Sequence, residues 1–374
     1  MRVGDVRSYT EGSADVLAAD VRWGRDRAET IEFRVVDGQG EYRTDRGDAF
    51  LAATLLLAML QREPLRIEAP VSRRLLRSVD RIQDVYCRWV KGAQRIPVEA
   101  AGVHEDPPVA GGVGCFFSGG VDSFYTYLKN RGEITDLVLV RGFDRILNLD
   151  AVYRQARERN AEVARAGGKR LREVVTNVRR LSDPMVDIGL YHGALLAAVG
   201  HVLGASLAKV LVPASYAYEQ LYPWGSHPLL DPLWSSERLA LVHDGCEADR
   251  YEKIARQIAG SDLALRTLRV CWELNGDYNC GACEKCLRTM VGLLLAGALD
   301  RCTTFARPLT GDAVARLRLR SHSQLLFNQE NLRYLAAKAD PSPREREVHR
   351  ALRRVVRRGE RRVAFRLWRG RDQR

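Results

Sequence analysis

The chain has 374 residues, 46% apolar and 28% charged, with a formal net charge of +12 at pH 7. That balance is ordinary for globular proteins and excludes a fibrous or wholly disordered chain, while the length suggests about two domains plus appendages. The charge is unevenly placed. Asp340 to Arg374 holds thirteen arginines against five acids, a surplus of eight, so only +4 is left for residues 1–339. The body of the chain therefore gives little reason to expect nucleic acid.

Four of the eight cysteines (Cys271, Cys280, Cys283, Cys286) crowd into one stretch, whereas Cys87, Cys115, Cys246 and Cys302 stand singly. Clustering of this kind indicates metal chemistry in a reducing compartment rather than a disulfide scaffold. The first residues, Met1 to Asp5, lack the apolar core of a signal peptide, so a cytoplasmic location is expected. Apolar stretches such as Ala49 to Leu60 fall short of a bilayer span, and Leu195 to Pro213 is interrupted by His201 and Lys209. No transmembrane span is expected.

In chain order, strands are expected near Thr30–Val36 and Glu41–Thr44, joined by the glycine-rich turn Asp37–Gly40. Helical patterns follow at Asp48–Leu60 and Val71–Trp89, with a short strand at Leu65–Glu68 between them. Residues 1–105 thus read as a small α+β domain without a catalytic motif. Ala100 to Gly114, rich in Gly, Pro and Ala, reads as a linker. Beyond it the texture changes to strand (Cys115–Phe117), tight loop, helix (Val121–Asn130), strand (Asp136–Val140), helix (Asp150–Ala166), strand (Leu171–Val178), helix (Tyr191–Leu207) and strand (Val210–Pro213). Strands alternating with helices at this spacing predict an α/β fold whose parallel twisted sheet carries helices on both faces.

Ser118-Gly119-Gly120-Val121-Asp122-Ser123 is the first chemical signal. Adjacent glycines let an anion approach backbone N–H groups, a helix start lies behind them, and Asp122 suits hydrogen bonding or Mg²⁺. No lysine follows as in a Walker loop, so γ-phosphate transfer of that kind is not indicated. The bland alternative is a tight strand-to-helix turn with a serine cap. Following Phe116-Phe117, the hexad resembles the signature loop of the ATP pyrophosphatase (PP-loop) superfamily. That resemblance implies an adenine nucleotide alpha-hydrolase-like fold, binding of ATP, cleavage between its α and β phosphates and transfer of AMP to a carboxylate, carbonyl or amide oxygen.

The second signal is C-x8-C-x2-C-x2-C, formed by Cys271, Cys280, Cys283 and Cys286 with Gly281 allowing a sharp turn. Structural zinc, an iron–sulfur cluster and plain buried thiols are the three readings; a closed tetrahedral Cys₄ set favours Zn²⁺. With Arg288 and Thr289 completing the pattern, residues of about 112–300 are similar to 7-cyano-7-deazaguanine synthases, in which such cysteines hold a structural zinc. The resemblance also places Lys253 where that family carries a lysine. It implies a C–N ligase that adenylates a carboxylate for attack by ammonia or an amine. Ser118, Asp122, Ser123 and Lys253 are then the candidate catalytic residues, Ser118 to Ser123 hold the nucleotide, and the cofactors are ATP, Mg²⁺ and Zn²⁺. The stretch Ala214–Gln220 and Gly225–Trp234 departs from that family's base-recognition pattern, which leaves the acid unnamed. A tRNA-modifying enzyme adenylating a base carbonyl and a non-catalytic nucleotide-binding regulator are the alternatives.

Weaker features remain. His227, Asp231, Trp234, His243 and Asp244 fall in a Pro- and aromatic-rich stretch that holds substrate or simply packs a loop. Cys115 is either a reactive thiol or a small buried hydrophobe, and Asp144 either faces nucleotide or is a plain loop carboxylate. Residues 306–374 read as a helical extension ending in a basic amphipathic tail, Arg353–Arg358 and Arg361–Arg369. Such a tail binds RNA, an anionic membrane surface or an acidic partner, or docks on its own protein with its arginines in water. The expected domains are therefore 1–105, 112–305 and 306–374.

Overall fold

The structure, a computed structural model of the chain, describes residues 1–107, 111–143, 149–273 and 278–371, with side chains through residue 362. It divides into two compact units. One comprises Met1–Ser118, Asn130–Asn148 and Asn160–Cys246; the other comprises Gly119–Lys129, Leu149–Arg159 and Glu247–Arg374. This partition differs from the expected 1–105, 112–305 and 306–374, and the sheet supplies the reason.

The first unit is built on one ten-stranded sheet. Its strands are β1 (Arg2–Glu11), β2 (Ala14–Trp23), β3 (Arg27–Val35), β4 (Leu65–Ser72), β5 (Val98–His104), β6 (Gly112–Phe116), β7 (Asp136–Arg141), β8 (Arg170–Thr176), β9 (Leu207–Pro213) and β10 (Ala240–Asp244). Their spatial order is β10-β9-β6-β7-β8-β3-β2-β1-β4-β5. From β10 to β8 every pairing is parallel, as are β1 with β4 and β4 with β5. β3 meets β8 antiparallel, with Phe33 opposite Thr176 and Val35 opposite Val174. That seam hydrogen-bonds the N-terminal strands into the parallel block, so residues 1–105 do not form a sheet of their own. The fold is α/β with a mostly parallel sheet.

Parallel strands buried on both sides read as unbroken apolar runs, and Leu137, Val138 and Leu139 are accordingly almost without exposure. Polar β1 lacks that signal, and it was missed; it pairs antiparallel with β2 across the left-handed Gly12 (φ 62°). The edge strand β10 was missed as well. Glu41–Thr44, expected to be a strand, is instead part of a turn. The buried carboxylate of Asp15 accepts the N–H groups of Gly40 and Tyr42 at 2.8–3.0 Å, which takes those donors away from any ladder. The linker expected over 100–114 is replaced in part by β5 and β6.

The expected helices are found at Asp48–Gln61, Arg73–Trp89, Val121–Lys129, Asp150–Ala166 and Ile188–Val202. Asp48–Gln61 and Ile188–Val202 pack together within the first unit, where the Tyr191 hydroxyl donates to the Ala53 carbonyl. Among the described residues, Ile188–Ala205 is the one helical stretch long and apolar enough to cross a membrane; 67% of it is buried inside the protein. Gly193 on this helix is required by contact, because a Cβ there would lie 1.9 Å from the Gly225 carbonyl oxygen.

The second unit is helical, with Val121–Lys129, Arg250–Lys253 running into the π-helical turn Ile254–Ile258, Asp262–Thr267, Glu284–Leu295, Gly311–Ala315, His322–Ala337 and Pro343–Arg371. It contains the glycine loop from Gly119 onward and all four clustered cysteines.

Candidate functional site

The loop begins where β6 ends. Ser118 is exposed and is the last residue of its segment in the first unit. Gly119 adopts φ +77°, a conformation costly for any residue with a Cβ, and its carbonyl accepts the Arg269 N–H at 2.8 Å. Gly120 then accepts both the Phe124 N–H at 2.9 Å and the Ser123 hydroxyl at 3.0 Å. The helix Val121–Lys129 starts there, so the N–H groups of its first turn have no intrahelical acceptor. Ser123 is thereby committed to closing the turn, with its hydroxyl pointed back at Gly120.

Asp122 is the centre of the charges in this unit. Its Oδ2 accepts Arg250 Nη1 at 3.0 Å, and its Oδ1 lies 3.3 Å from Lys253 Nζ. Burial raises the carboxyl pKa, but Arg250, Lys253 and Arg288 together outweigh it and hold the group below the usual carboxylate range. Lys253 is 1% exposed and also lies 5.9 Å from the Tyr125 ring centroid. Arg250 and Arg288 both stack on Phe327, at 5.4 and 4.4 Å. Glu284 approaches Arg288 at 3.7 Å. The buried Nε of Arg250 has no hydrogen-bond partner, a donor that an anion would satisfy.

Local sequence explains how these cations arrive. Asp249 and Glu252 form a capping box, with the Asp249 side chain on the Glu252 N–H at 2.9 Å and Glu252 on the Asp249 N–H at 3.0 Å. The helix so started carries Arg250 and Lys253 three residues apart on one face. Arg250 was missed as a site residue, yet that spacing from Lys253 was visible. Arg288 entered only as part of a motif match; it sits in the second turn of the helix Glu284–Leu295.

That helix begins on the cysteine cluster. One sulfur from each of Cys271, Cys280, Cys283 and Cys286 lies within 4.8 Å of the others. The Cys271–Cys283 and Cys280–Cys286 sulfurs are 3.9 Å apart, close to the ~3.8 Å edge of a tetrahedron with Zn–S bonds of ~2.3 Å, and too long for a disulfide. Backbone N–H groups of Ala282, Cys283 and Cys286 point at sulfur at 3.3–3.4 Å, favouring thiolates. Hydrogen bonds from the Cys283 and Cys286 thiols pull Cys271 toward thiolate, and the same contacts raise Cys283 and Cys286. Gly281 turns at φ +65°, where a Cβ would meet the Arg307 carbonyl oxygen at 2.7 Å. Asn279 accepts the Val270 and Cys271 N–H groups and donates to the Leu268 carbonyl, fixing the first ligand's strand. Cys283 also caps the helix that carries Arg288. The four sulfurs could bind zinc as a closed tetrahedral site.

The weaker candidates lie in the first unit. Asp231, 2% exposed, accepts the Ser226 hydroxyl at 2.7 Å, the His227 N–H at 3.2 Å and His243 Nδ1 at 2.7 Å. Burial disfavours the imidazolium, but hydrogen bonds to Asp231 and Cys246 bring His243 up to about 9. Trp234 is fully buried and His227 packs edge-on against Trp89 at 4.9 Å. Asp244 accepts Asn130 Nδ2 at 3.1 Å. Asp231, Ser226 and His243 form a packed polar cluster. Cys115 is fully buried and burial drives its thiol well above the ordinary range, so it behaves as a small hydrophobe. Asp144 lies outside the described residues.

The fold and site define an α/β protein with a four-cysteine cluster. Searches of protein-family models, curated proteins and solved structures find no match to this chain.

Proposed function

We propose that the chain is an ATP-dependent C–N ligase of the PP-loop kind, which adenylates a carboxylate for attack by ammonia or an amine. The observation that carries this reading is Asp122 on its glycine loop, held by Arg250 and Lys253, with a buried donor on Arg250 unspent. A site for a polyphosphate needs donors left for its oxygens.

In this reading the N–H groups of Val121, Asp122 and Ser123 take the β and γ phosphates of ATP. Arg250, Lys253 and Arg288 offset the charge that builds on departing pyrophosphate. Asp122, kept ionised by those cations, would hold Mg²⁺, which would supply charge neutralisation on the phosphates. The acid's carboxylate oxygen attacks the α-phosphorus, pyrophosphate leaves, and the amine then displaces AMP from the acyl-adenylate. Cys271, Cys280, Cys283 and Cys286 would hold zinc with no open position, so it would steady the helix that bears Arg288 rather than react. The proposed setting is cytoplasmic, since the clustered thiols need reducing conditions.

Incubation with ATP, Mg²⁺, ammonia and a panel of carboxylic acids should release AMP and pyrophosphate, and Lys253→Ala should lower the rate by about 10²–10³-fold. Release of ADP and phosphate alone removes the reading.

A further inference from the structure

The helix Pro343–Arg371 extends an apolar side and a cationic side in opposite directions. Val348, Ala351, Leu352, Val355 and Val356 are each at most 3% exposed. They pack within the second unit against Gly311–Ala315, His322–Ala337 and Glu284–Leu295. The other side is exposed at Arg346, Arg350, Arg353, Arg354, Arg357, Arg358, Arg361 and Arg362. At 100° per residue, Arg346, Arg350, Arg353, Arg357 and Arg361 form one stripe about 80° wide and ~23 Å long.

Charge runs are often plain solvated faces, and such faces are normally laced with acids at i,i+4. This one is not. Among the described residues, Arg350, Arg353, Arg354, Arg357, Arg361 and Arg362 have no ion-pair partner. Arg346 and Arg358 donate to the Pro341 and Ala315 carbonyls, which leaves their charge uncompensated. Glu360, the acid beside the stripe, receives Gln329 Nε2 at 2.9 Å. Mutual repulsion along such a row costs stability unless a polyanion relieves it.

Two features choose among polyanions. An amphipathic helix that binds a bilayer does so by burying its apolar face in lipid, and here that face is already covered by the protein up to Val356. All thirteen basic residues from Asp340 to Arg374 are arginine and none is lysine. The guanidinium fork matches phosphate oxygens in pairs.

We propose that this arginine stripe is a binding surface for the phosphate backbone of a nucleic acid. The surface is independent of ATP chemistry, so it stands or falls apart from the ligase reading. Its neutralising contacts come from Arg346, Arg350, Arg353, Arg357 and Arg361, and its recognition is of charge and spacing rather than of bases.

The full-length protein is titrated, without ATP, into a fluorescein-labelled RNA duplex and the matching DNA duplex between 50 and 200 mM salt. Five contacts predict a log–log salt slope of about −4.5 and a loss of affinity of ~500-fold across that range for the duplex that binds. Arg350→Glu, Arg353→Glu and Arg357→Glu combined should shrink the slope by about 3, while the same three changed to Lys should leave it nearly intact. These residues are exposed, and an unchanged melting temperature verifies folding. A slope unaltered by the charge reversal overturns the proposal. So does binding of phosphatidylserine vesicles or polyglutamate as tight as that of either duplex.

Discussion

Two aspartates, one in each unit, are held by cations, and their surroundings differ. Asp231 faces a single imidazolium, His243, with Ser226 and the His227 amide completing its shell. Asp122 faces Arg250 and Lys253, with Arg288 adding to the field, and a donor on Arg250 is left over. The first is balanced and sealed, which is the signature of a structural pair. The second has two cations on one carboxylate and a donor unspent, on a loop that ends in a helix N-terminus. An unspent donor, more than burial, separates a site from a staple.

The largest effect should come from the four-cysteine cluster on which the helix bearing Arg288 starts. Stripping metal with a strong chelator, or Cys280→Ser with Cys283→Ser, should unfold much of the helical unit, since structural zinc contributes on the order of 10 kcal/mol. Loss of helical circular dichroism together with one zinc per chain by elemental analysis checks this. A fully metal-free protein of unchanged stability would detach the cysteines from the site.

Next, the two aspartates should answer differently to the same change. Asp231→Asn leaves a buried imidazolium unpaired and should cost about 3–5 kcal/mol in urea unfolding, with no help from added anions. Asp122→Asn should cost less and should be offset by pyrophosphate, which can occupy the vacated charge. Equal losses, both indifferent to pyrophosphate, would erase the distinction. At Gly281, substitution by Ala forces both a left-handed backbone and a Cβ against Arg307, so about 2–4 kcal/mol should be lost.

The smallest effect is on pH dependence. His243 has its folded pKa raised to about 9, so its stabilisation is present in full below about 6.5 and lost as pH rises through 9. The melting temperature should fall over that window, and His243→Gln should flatten the profile.

Much of this was legible in the sequence because each element had a local cause. Strands β6, β7 and β9 announce themselves as apolar runs, and the glycine loop and cysteine spacing are set by short-range geometry. What escaped notice depends on distant partners. β1 is polar along most of its length and is a strand because β2 and β4 pair with it. Glu41–Thr44 looks like a strand until Asp15 and Ser8, far upstream, take the Tyr42 and Thr44 donors. Arg250 was passed over because its significance lies in Asp122, 128 residues away, although its spacing from Lys253 was there to read. His243 and Asp231 were singled out together, and only packing shows that they neutralise one another.

The central claim concerns which bond of ATP is broken. ATP carrying ¹⁸O in the α,β-bridge should, with the protein, Mg²⁺ and the acid that supports turnover, move that label into the non-bridging oxygens of the β-phosphate, as reversible release of pyrophosphate requires. Scrambling confined to a β,γ-bridge label, with the α,β-bridge untouched, would contradict the account.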